Sequence, residues 1–453
     1  MLENNDLKNA QLRLQQVNKA IESGMFVRAR SILDKMPACD VALILESSPP
    51  ANRKVLWELT DHDQQGEILE ELNEDAKDGI IALMDATNLA SATEGMETDG
   101  LAYVLRGIPD GLYQAVLQQM DAQDRHRVEQ ALAYPEDTAG SIMNTDTITL
   151  RPDVSIDVVL RYLRLKGEIP EATDTLYVVN EEDILIGDVP LSTLLTVDPT
   201  LSVSQVMNDK TDALLAEMDE REIAKLFERH DWISAPVVDE DNHLLGRITI
   251  DDVVDIIREN AEHSMMGMAG MDDDEDTFAP ILSSAKRRTM WLSINLVAAF
   301  VAASVSNMFE ATLEQMATLA VLMTIVPSMG GIAGNQTLAL VIRGLAVGHI
   351  NSSNTRWLIG KEAAIGILNG MVWAILVATA VTFWKGDITV GFIIAGAMFI
   401  NLSVAGIAGV TIPLIMHKYK IDPALAGGMA LTTLTDVIGL FSFLGMATLV
   451  LRY

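Results

Sequence analysis

Five long apolar runs crowd the last 165 residues of this 453-residue chain, and they decide most of what it can become. Positions 289–309, 315–342, 363–384 and 388–416 carry no charged side chain, and 423–451 carries only Asp436. A helix needs roughly 20 apolar residues to cross a bilayer, and each run reaches that length. A water-soluble core would have to hide all five at once. The C-terminal part is therefore expected to be a bundle of five transmembrane helices.

Charge divides at the same boundary. The whole chain has a net charge of −31, yet positions 285–453 sum to +4 and positions 1–284 to −35. An acidic aqueous half is thus joined to an apolar half. Such a field repels nucleic acid, whose binding requires clustered Lys and Arg. The single cysteine, Cys39, excludes a disulfide framework and a cysteine-based metal centre. Residues 1–16 are polar and lack the apolar stretch of a signal peptide, so the acidic half is expected in the cytoplasm.

Basic residues at the ends of the runs set an orientation. Lys286, Arg287 and Arg288 precede the first run. Arg343, Arg356 and Lys361 lie between the second and third, and Lys418 and Lys420 between the fourth and fifth. The other connections carry Glu310 and Glu314, then Lys385 with Asp387. The expected topology has the N-terminus inside, the C-terminus outside, and the chain in the cytoplasmic (inner) membrane, in contact with lipid.

Two runs are poor lipid-facing helices. The second contains Pro327-Ser328-Met329-Gly330-Gly331-Ile332-Ala333-Gly334-Asn335-Gln336. Proline removes a donor and the glycines let the backbone open, which is tolerated at membrane depth only within protein or beside a water-filled path. Close packing through small residues is the alternative. In the fifth run, Asp436 stands near mid-membrane as the one acid expected within any span, and such carboxylates mark functional sites. No Lys or Arg within the runs neutralises it, and Thr432, Thr433 and Thr435 add hydroxyls nearby. These hard oxygen donors suit Mg²⁺ or Ca²⁺. In a homodimer, two Asp436 carboxylates would share one axis. Gly331, Gly334 and Asn335 from the second run, with Asn401 from the fourth, complete the candidate ion-contacting set.

The aqueous half contains an internal repeat. Tyr177-Val178-Val179 followed by Leu185-Ile186-Gly187-Asp188-Val189 recurs, 59 residues later, as Ala235-Pro236-Val237-Val238 followed by Leu244-Leu245-Gly246-Arg247-Ile248. Each copy reads as strand–helix–strand–strand–helix. The pair resembles tandem CBS domains, and Gly246, Thr249 and Asp252 fit that family's nucleotide-contacting pattern, which makes ATP a candidate ligand. The first copy, with Gly187 and Pro190, does not fit it. Residues 1–133 read as short amphipathic helices with no strand signal. A weaker repeat joins Ala42, Leu45, Pro49 and Asp61 to Ala102, Leu105, Pro109 and Asp121 at an offset of 60, as stacked helical hairpins would.

Acids cluster just before the membrane. At helical spacing Asp251, Asp255, Glu259 and Glu262 share a face, with Asp252 beside them, and Asp272-Asp273-Asp274-Glu275-Asp276 follows. Like charges at this spacing repel, so the face calls for counter-charge, unless it is simply solvated surface.

The motif Tyr134-Pro135-Glu136-Asp137-Thr138-Ala139-Gly140-Ser141-Ile142-Met143, the order of parts, the run from Pro327 to Gln336, and Asp422-Pro423-Ala424 through Thr435-Asp436-Val437-Ile438-Gly439 resemble the MgtE family of magnesium transporters. The resemblance implies a multi-domain membrane protein. An all-α superhelical domain (1–133) is followed by an α/β CBS pair ending in a plug helix (134–262), an acidic connector (263–288) and a five-helix pore domain (289–453). It implies a homodimeric Mg²⁺ channel with its pore between subunits and Asp436 as the pore carboxylate holding hydrated Mg²⁺. It also implies that Mg²⁺ bound among cytoplasmic acids, with Asp99 joining Asp251, Asp252, Asp255, Glu259 and Glu262, locks the closed state. The chain departs from the family at Ile332, where Asn is frequent, at Gly100 and Tyr103 after Asp99, and at Asn260 and His263.

Three functions compete: a Mg²⁺-gated channel, an ion-coupled carrier of Mg²⁺, Co²⁺ or Mn²⁺, and a membrane-anchored sensor. An enzyme is not expected. No phosphate-cradling Gly-x-x-x-x-Gly-Lys-Ser/Thr loop is present, and the seven histidines lack metal-ligand spacing. Nor is an obligatory protein partner evident.

Overall fold

The computed structural model describes residues 13–21, 23–120, 122–167, 169–170, 172–271, 276–351 and 353–451. Asp121 and the acidic residues 272–275 lie outside that set. Two compact units divide the chain: Met1–Asn260 with Asp274–Pro280, and Ala261–Asp273 with Ile281–Tyr453.

The first unit begins with short helices, from Phe26–Leu33 to Ala122–Ala133. None is long enough to be stable alone, so their stability comes from packing one apolar face each against a common core. Leu45, Leu56, Ile68, Leu69, Ile80, Val104 and Val116 are fully buried there. The 60-residue offset reappears in the turns. Pro49 caps the helix Pro50–Leu59 and Pro109 caps Asp110–Leu117, each with the extended backbone that starts a helix. Lys77 is 2% exposed, donates to the Tyr103 carbonyl at 3.1 Å and lies 3.6 Å from the centre of the Tyr103 ring. Hydrogen bond and cation–π contact together offset the burial of that charge.

Two three-stranded sheets follow. Strands β1 (Thr149–Leu150), β2 (Thr175–Val179) and β3 (Leu185–Pro190) form one, in that order, with β1 parallel and β3 antiparallel to β2. Strands β4 (Leu214–Leu215), β5 (Ser234–Val238) and β6 (Leu244–Thr249) repeat the arrangement. Both copies bulge at equivalent places, Val178/Val179 and Val237/Val238, which carries the 59-residue repeat down to backbone irregularities. The copies face each other. Tyr177, Leu185 and Val238 share a core, the Tyr177 hydroxyl lies 2.9 Å from Ser234 Oγ, and Asn242 Nδ2 donates to the Leu185 carbonyl at 2.8 Å. The helix Ile250–Met268 follows β6, and its first apolar residues, Val253 and Ile256, close the second copy's core.

Asp276 returns to the helical domain. Its carboxylate meets Arg53 Nη2 at 2.8 Å with both side chains almost fully buried, and its backbone N–H donates to Asp75 at 3.1 Å. Arg53 also donates to the carbonyls of Leu45 and Ser48, so its fork is well used.

The second unit holds five helices long and apolar enough to cross a membrane: Ile281–Met308, Ala317–Ala346, Thr355–Lys385, Ile388–Lys418 and Pro423–Val450. The fourth is the axis of the bundle, with 56% of its apolar window buried against 6% for the first. Its packing relies on small residues and on Asn401, as expected where lipid provides no hydrophobic drive between helices. The expectation of an open backbone between Pro327 and Gln336 is not met. A turn at residues 323–324 interrupts the second span, and Ile325–Ala346 is then one continuous helix. Pro327 falls in its first turn, where no donor is needed, and the glycines admit neighbouring helices. A Cβ at Gly330 would collide with the Asn401 amide, and one at Gly334 would come within 2.9 Å of Leu431.

Because the Arg53–Asp276 pair is buried, removing one partner strands a charge. Arg53→Met is expected to destabilise the first unit by about 3 kcal/mol. Urea unfolding of the full chain, followed by tryptophan fluorescence, checks this; an unshifted midpoint would show that the pair contributes nothing.

Candidate functional site

The fifth span, Pro423–Leu451, places Asp436 about 20 Å along a helix of about 43 Å, at 1.5 Å per residue. Asp436 is part-exposed in the single chain, and among the described residues it makes no hydrogen bond or ion pair. Thr432 is exposed and Thr433 part-exposed, and Thr433 Oγ1 donates back to the Met429 carbonyl at 2.8 Å. Thr435 is fully buried and turned inward, 3.8 Å from a Cβ built on Gly331. On the second span Asn335 is exposed, as is Ile332, while Gly331 and Gly334 are buried. Asn401 has no exposed surface. Its Nδ2 donates to the Val326 carbonyl at 2.8 Å and lies against Gly330 and Gly439, so it ties three helices together. Asp436, Thr432 and Asn335 therefore remain accessible in one chain, whereas Asn401, Gly331 and Gly334 serve the packing behind them.

The cytoplasmic acids sort differently from their helical spacing. Asp251, Asp255, Glu259 and Glu262 are all exposed, and Asp255 pairs with Arg258 at 3.2 Å. Asp252 points the other way. Its carboxylate accepts from the Thr249 N–H at 3.1 Å and the Thr249 hydroxyl at 2.9 Å, closing the first turn of the helix. Burial, then the nearby charge of Asp99, pushes Asp252 up to about 7. Asp99, at the start of Thr98–Leu105, is pushed up to about 6 by burial, against an N–H bond from Gly100 and with the charge of Glu97 adding to the rise. Glu70 is raised too, by loss of water first and then by Asp99, Asp252, Glu71 and Glu97.

The sequence reading names Asp99 and Asp252 and does not name Glu70 or Glu97, whose charges reach the same carboxylates. Neither acid is spaced to suggest a site; stacking of the helical hairpins brings them in. Gly100 admits Glu70, since a Cβ there would collide with its carboxylate. Glu97 reaches the Asn144 amide, and Asn144 exchanges two 2.8 Å backbone bonds with Arg247. That strand-like pairing needs Gly246, where a Cβ would sit 2.6 Å from the Asn144 carbonyl. Gly246, Thr249 and Asp252, the nucleotide candidates, are thus all engaged by the protein itself. Among the described residues no three His, Cys, Asp or Glu side chains converge closely enough to hold a bare metal ion. A site for Mg²⁺ here would work through retained water, which Mg²⁺ favours.

One acid was misplaced by the sequence. Asp436 is not the only carboxylate within a span: the third helix starts at Thr355, eight residues before the expected boundary, and so includes Glu362. Glu362 is 3% exposed and accepts from the Thr337 hydroxyl at 3.1 Å. Adjacent Lys361 and Arg356 concealed this, because charged residues are expected at a span's end.

Comparison with known proteins agrees with this architecture. Residues 323–446 match the MgtE divalent cation transporter family, residues 36–137 the MgtE intracellular N domain, and residues 139–200 and 186–259 the CBS domain. The magnesium transporter MgtE of Bacillus subtilis is 31% identical over 421 residues, covering 92% of this chain and 93% of that protein. The chain belongs to the MgtE family. The magnesium transporter MgtE of Thermus thermophilus is 27% identical over 441 residues, covering 96% of this chain and 98% of that one. A crystal structure of the cytosolic domain of the Mg²⁺ channel MgtE in complex with ATP superposes with a TM-score of 0.50 at 27% identity. It covers 54% of this chain and 99% of that one. As in the family, an acidic helical domain and a CBS pair precede a multi-pass membrane domain.

Asp99 and Asp252 have folded values above the 3.8 of a free Asp, so the folded unit keeps protons that the unfolded chain has released. Their contribution to stability is full below about pH 4 and is lost as pH rises through about 6 to 7. Mg²⁺ bound at these carboxylates would need them ionised, so any stabilisation it gave would grow over the same interval. Thermal unfolding of the full chain is expected to show a larger Mg²⁺-induced rise at about pH 8 than at about pH 5.5. Equal rises at both values would exclude these carboxylates as the binding groups.

Proposed function

We propose that the chain is a homodimeric, Mg²⁺-selective channel that admits Mg²⁺ across the inner membrane and is closed by cytoplasmic Mg²⁺. Its N-terminus lies inside and its C-terminus outside. The observation that carries the reading is Asp436, an accessible carboxylate deep in a span with no counter-charge among the described residues. Leaving such a charge unpaired in lipid is costly, and a passing cation relieves the cost. Two subunits would bring two carboxylates to one axis, with Thr432, Thr433 and Asn335 lining the approach. Gly331, Gly334 and Asn401 set the helix spacing behind them.

Mg²⁺ accepts octahedral oxygen at about 2.0–2.1 Å and gives up water reluctantly. Two carboxylates cannot replace six waters. The continuous helix at Gly330–Gly334 leaves its carbonyls in helical hydrogen bonds, so the ion keeps most of its shell. The opposing fields of hydrated Mg²⁺ and Asp436 then set selectivity by charge density.

Gating follows from the cytoplasmic acids. Asp99, Asp252, Glu70 and Glu97 are gathered against mutual repulsion, while Asp251, Asp255, Glu259 and Glu262 extend the acidic surface along the helix Ile250–Met268. A cation that binds only the gathered arrangement stabilises it by mass action, and several sites steepen the response. The same helix enters the membrane unit. There His263 Nε2 lies 2.7 Å from Asp422, at the start of the fifth span, and Gly267 contacts Ala424. The helix can therefore transmit the cytoplasmic state to the span that bears Asp436. The solved relative's cytosolic domain is in complex with ATP, and in this chain ATP at the CBS pair would act on the same arrangement near Gly246, Thr249 and Asp252.

Asp436→Asn keeps the side chain's shape and removes its charge. It is expected to cut Mg²⁺ flux into proteoliposomes at least about tenfold without loss of the folded dimer; undiminished flux overturns the pore assignment. Asp99→Asn with Asp252→Asn should leave flux that persists when internal Mg²⁺ reaches millimolar levels. Closure at the wild-type concentration in that double variant would remove these acids from the gate. Flux that requires a proton or Na⁺ gradient would instead favour the coupled carrier.

A further inference from the structure

A cavity of about 240 Å³ lies within the membrane unit between the second, third and fourth spans, apart from Asp436. Its polar lining is Gln336, Thr337, Lys361, Glu362 and Asn369. Glu362 is the buried element, its side chain only 4% exposed, about 10 Å along the helix from Thr355. A carboxylate offers about four lone-pair positions, and here they are poorly used. The Thr337 hydroxyl donates to Oε2 at 3.1 Å. Lys361 Nζ stands 3.0 Å from Oε1, yet no donor is aligned on that oxygen. The attraction is ionic without a hydrogen bond's geometry.

The two partners are unequally placed. Lys361 keeps 40% of its side chain exposed, so its ammonium can swing to water while Glu362 cannot. Thr337 donates to the carboxylate, and Gln336 and Asn369 line the same cavity, so neutral oxygens join it in a hard-donor set of the kind Mg²⁺ prefers. A water takes up roughly 30 Å³, so the cavity has room for a cation that retains several waters.

We propose that Glu362 forms a second metal-cation site within each subunit's own helix bundle, with Lys361 as a tethered counter-ion that the metal displaces. Thr337 holds the carboxylate in place, and Gln336 and Asn369 meet the retained water. The site does not depend on the pore assignment, because none of its groups is on the fifth span.

The two charges make opposite predictions. Mn²⁺, an EPR-visible hard cation, is titrated onto the full-length chain in detergent, in an Asp436→Asn background so that the pore carboxylate does not contribute. Glu362→Gln is expected to lower the number of bound Mn²⁺ by one per chain. Lys361→Gln is expected to keep that number and tighten the same step roughly threefold to tenfold, having removed a competing cation. Mg²⁺ should displace the ion in both the parent and Lys361→Gln. A merely structural ion pair gives a different pattern: Lys361→Gln weakens or leaves unchanged every binding step, and that result overturns the proposal. Mn²⁺ that Mg²⁺ fails to displace overturns it as well. Should Glu362→Gln fail to fold, the direction of the Lys361→Gln change decides.

Discussion

Carboxylates taken partly or wholly out of water recur in both units of this molecule. In the cytoplasmic unit the chain spends its packing energy on drawing acids toward one another. Asp252 is fixed by Thr249 at a helix start, Asp99 sits at the start of another helix, and Glu70 and Glu97 arrive from neighbouring turns. Burial first, with the charge of Glu97 on Asp99 and of Asp99 on Asp252, raises the two carboxyls to about 6 and about 7.

The membrane half solves the opposite problem. Lipid offers the helices no hydrophobic reason to associate, so close approach and a few buried polar contacts hold them. Asn401 does this for the second, fourth and fifth spans from a position with no exposed surface. The glycines at 330 and 334 are where those helices come near enough for it to work. Among the described residues Asp436 makes no hydrogen bond or ion pair, while Asn401 and the glycines carry the packing.

The helix Ile250–Met268 links these two economies of charge. Its first turns close the core of the second CBS domain through Val253 and Ile256, and its later residues, His263 and Gly267, engage the membrane unit at Asp422 and Ala424.

Whatever rests on local composition was legible in the sequence: the five spans, the acidic and apolar division, and the 59-residue repeat. Each depends on apolar area or on spacing along one strand or helix, and those are properties of neighbouring residues. Asp436 stood out for the same reason, as a single charge in an apolar run. The tertiary structure decided what depends on partners. Pro327 to Gln336 looks breakable in isolation and is a continuous helix, because Asn401 and Leu431 occupy the space that its glycines leave. Glu362 looks like an interfacial charge and is buried, because Thr337 and the third span's extra turns enclose it. The acids at 251, 255, 259 and 262 share a helical face, yet it is Asp252, off that face, that feels the charge of Asp99. Periodicity shows which residues lie together on a helix; only the packing of the helix against its neighbours shows which face is covered.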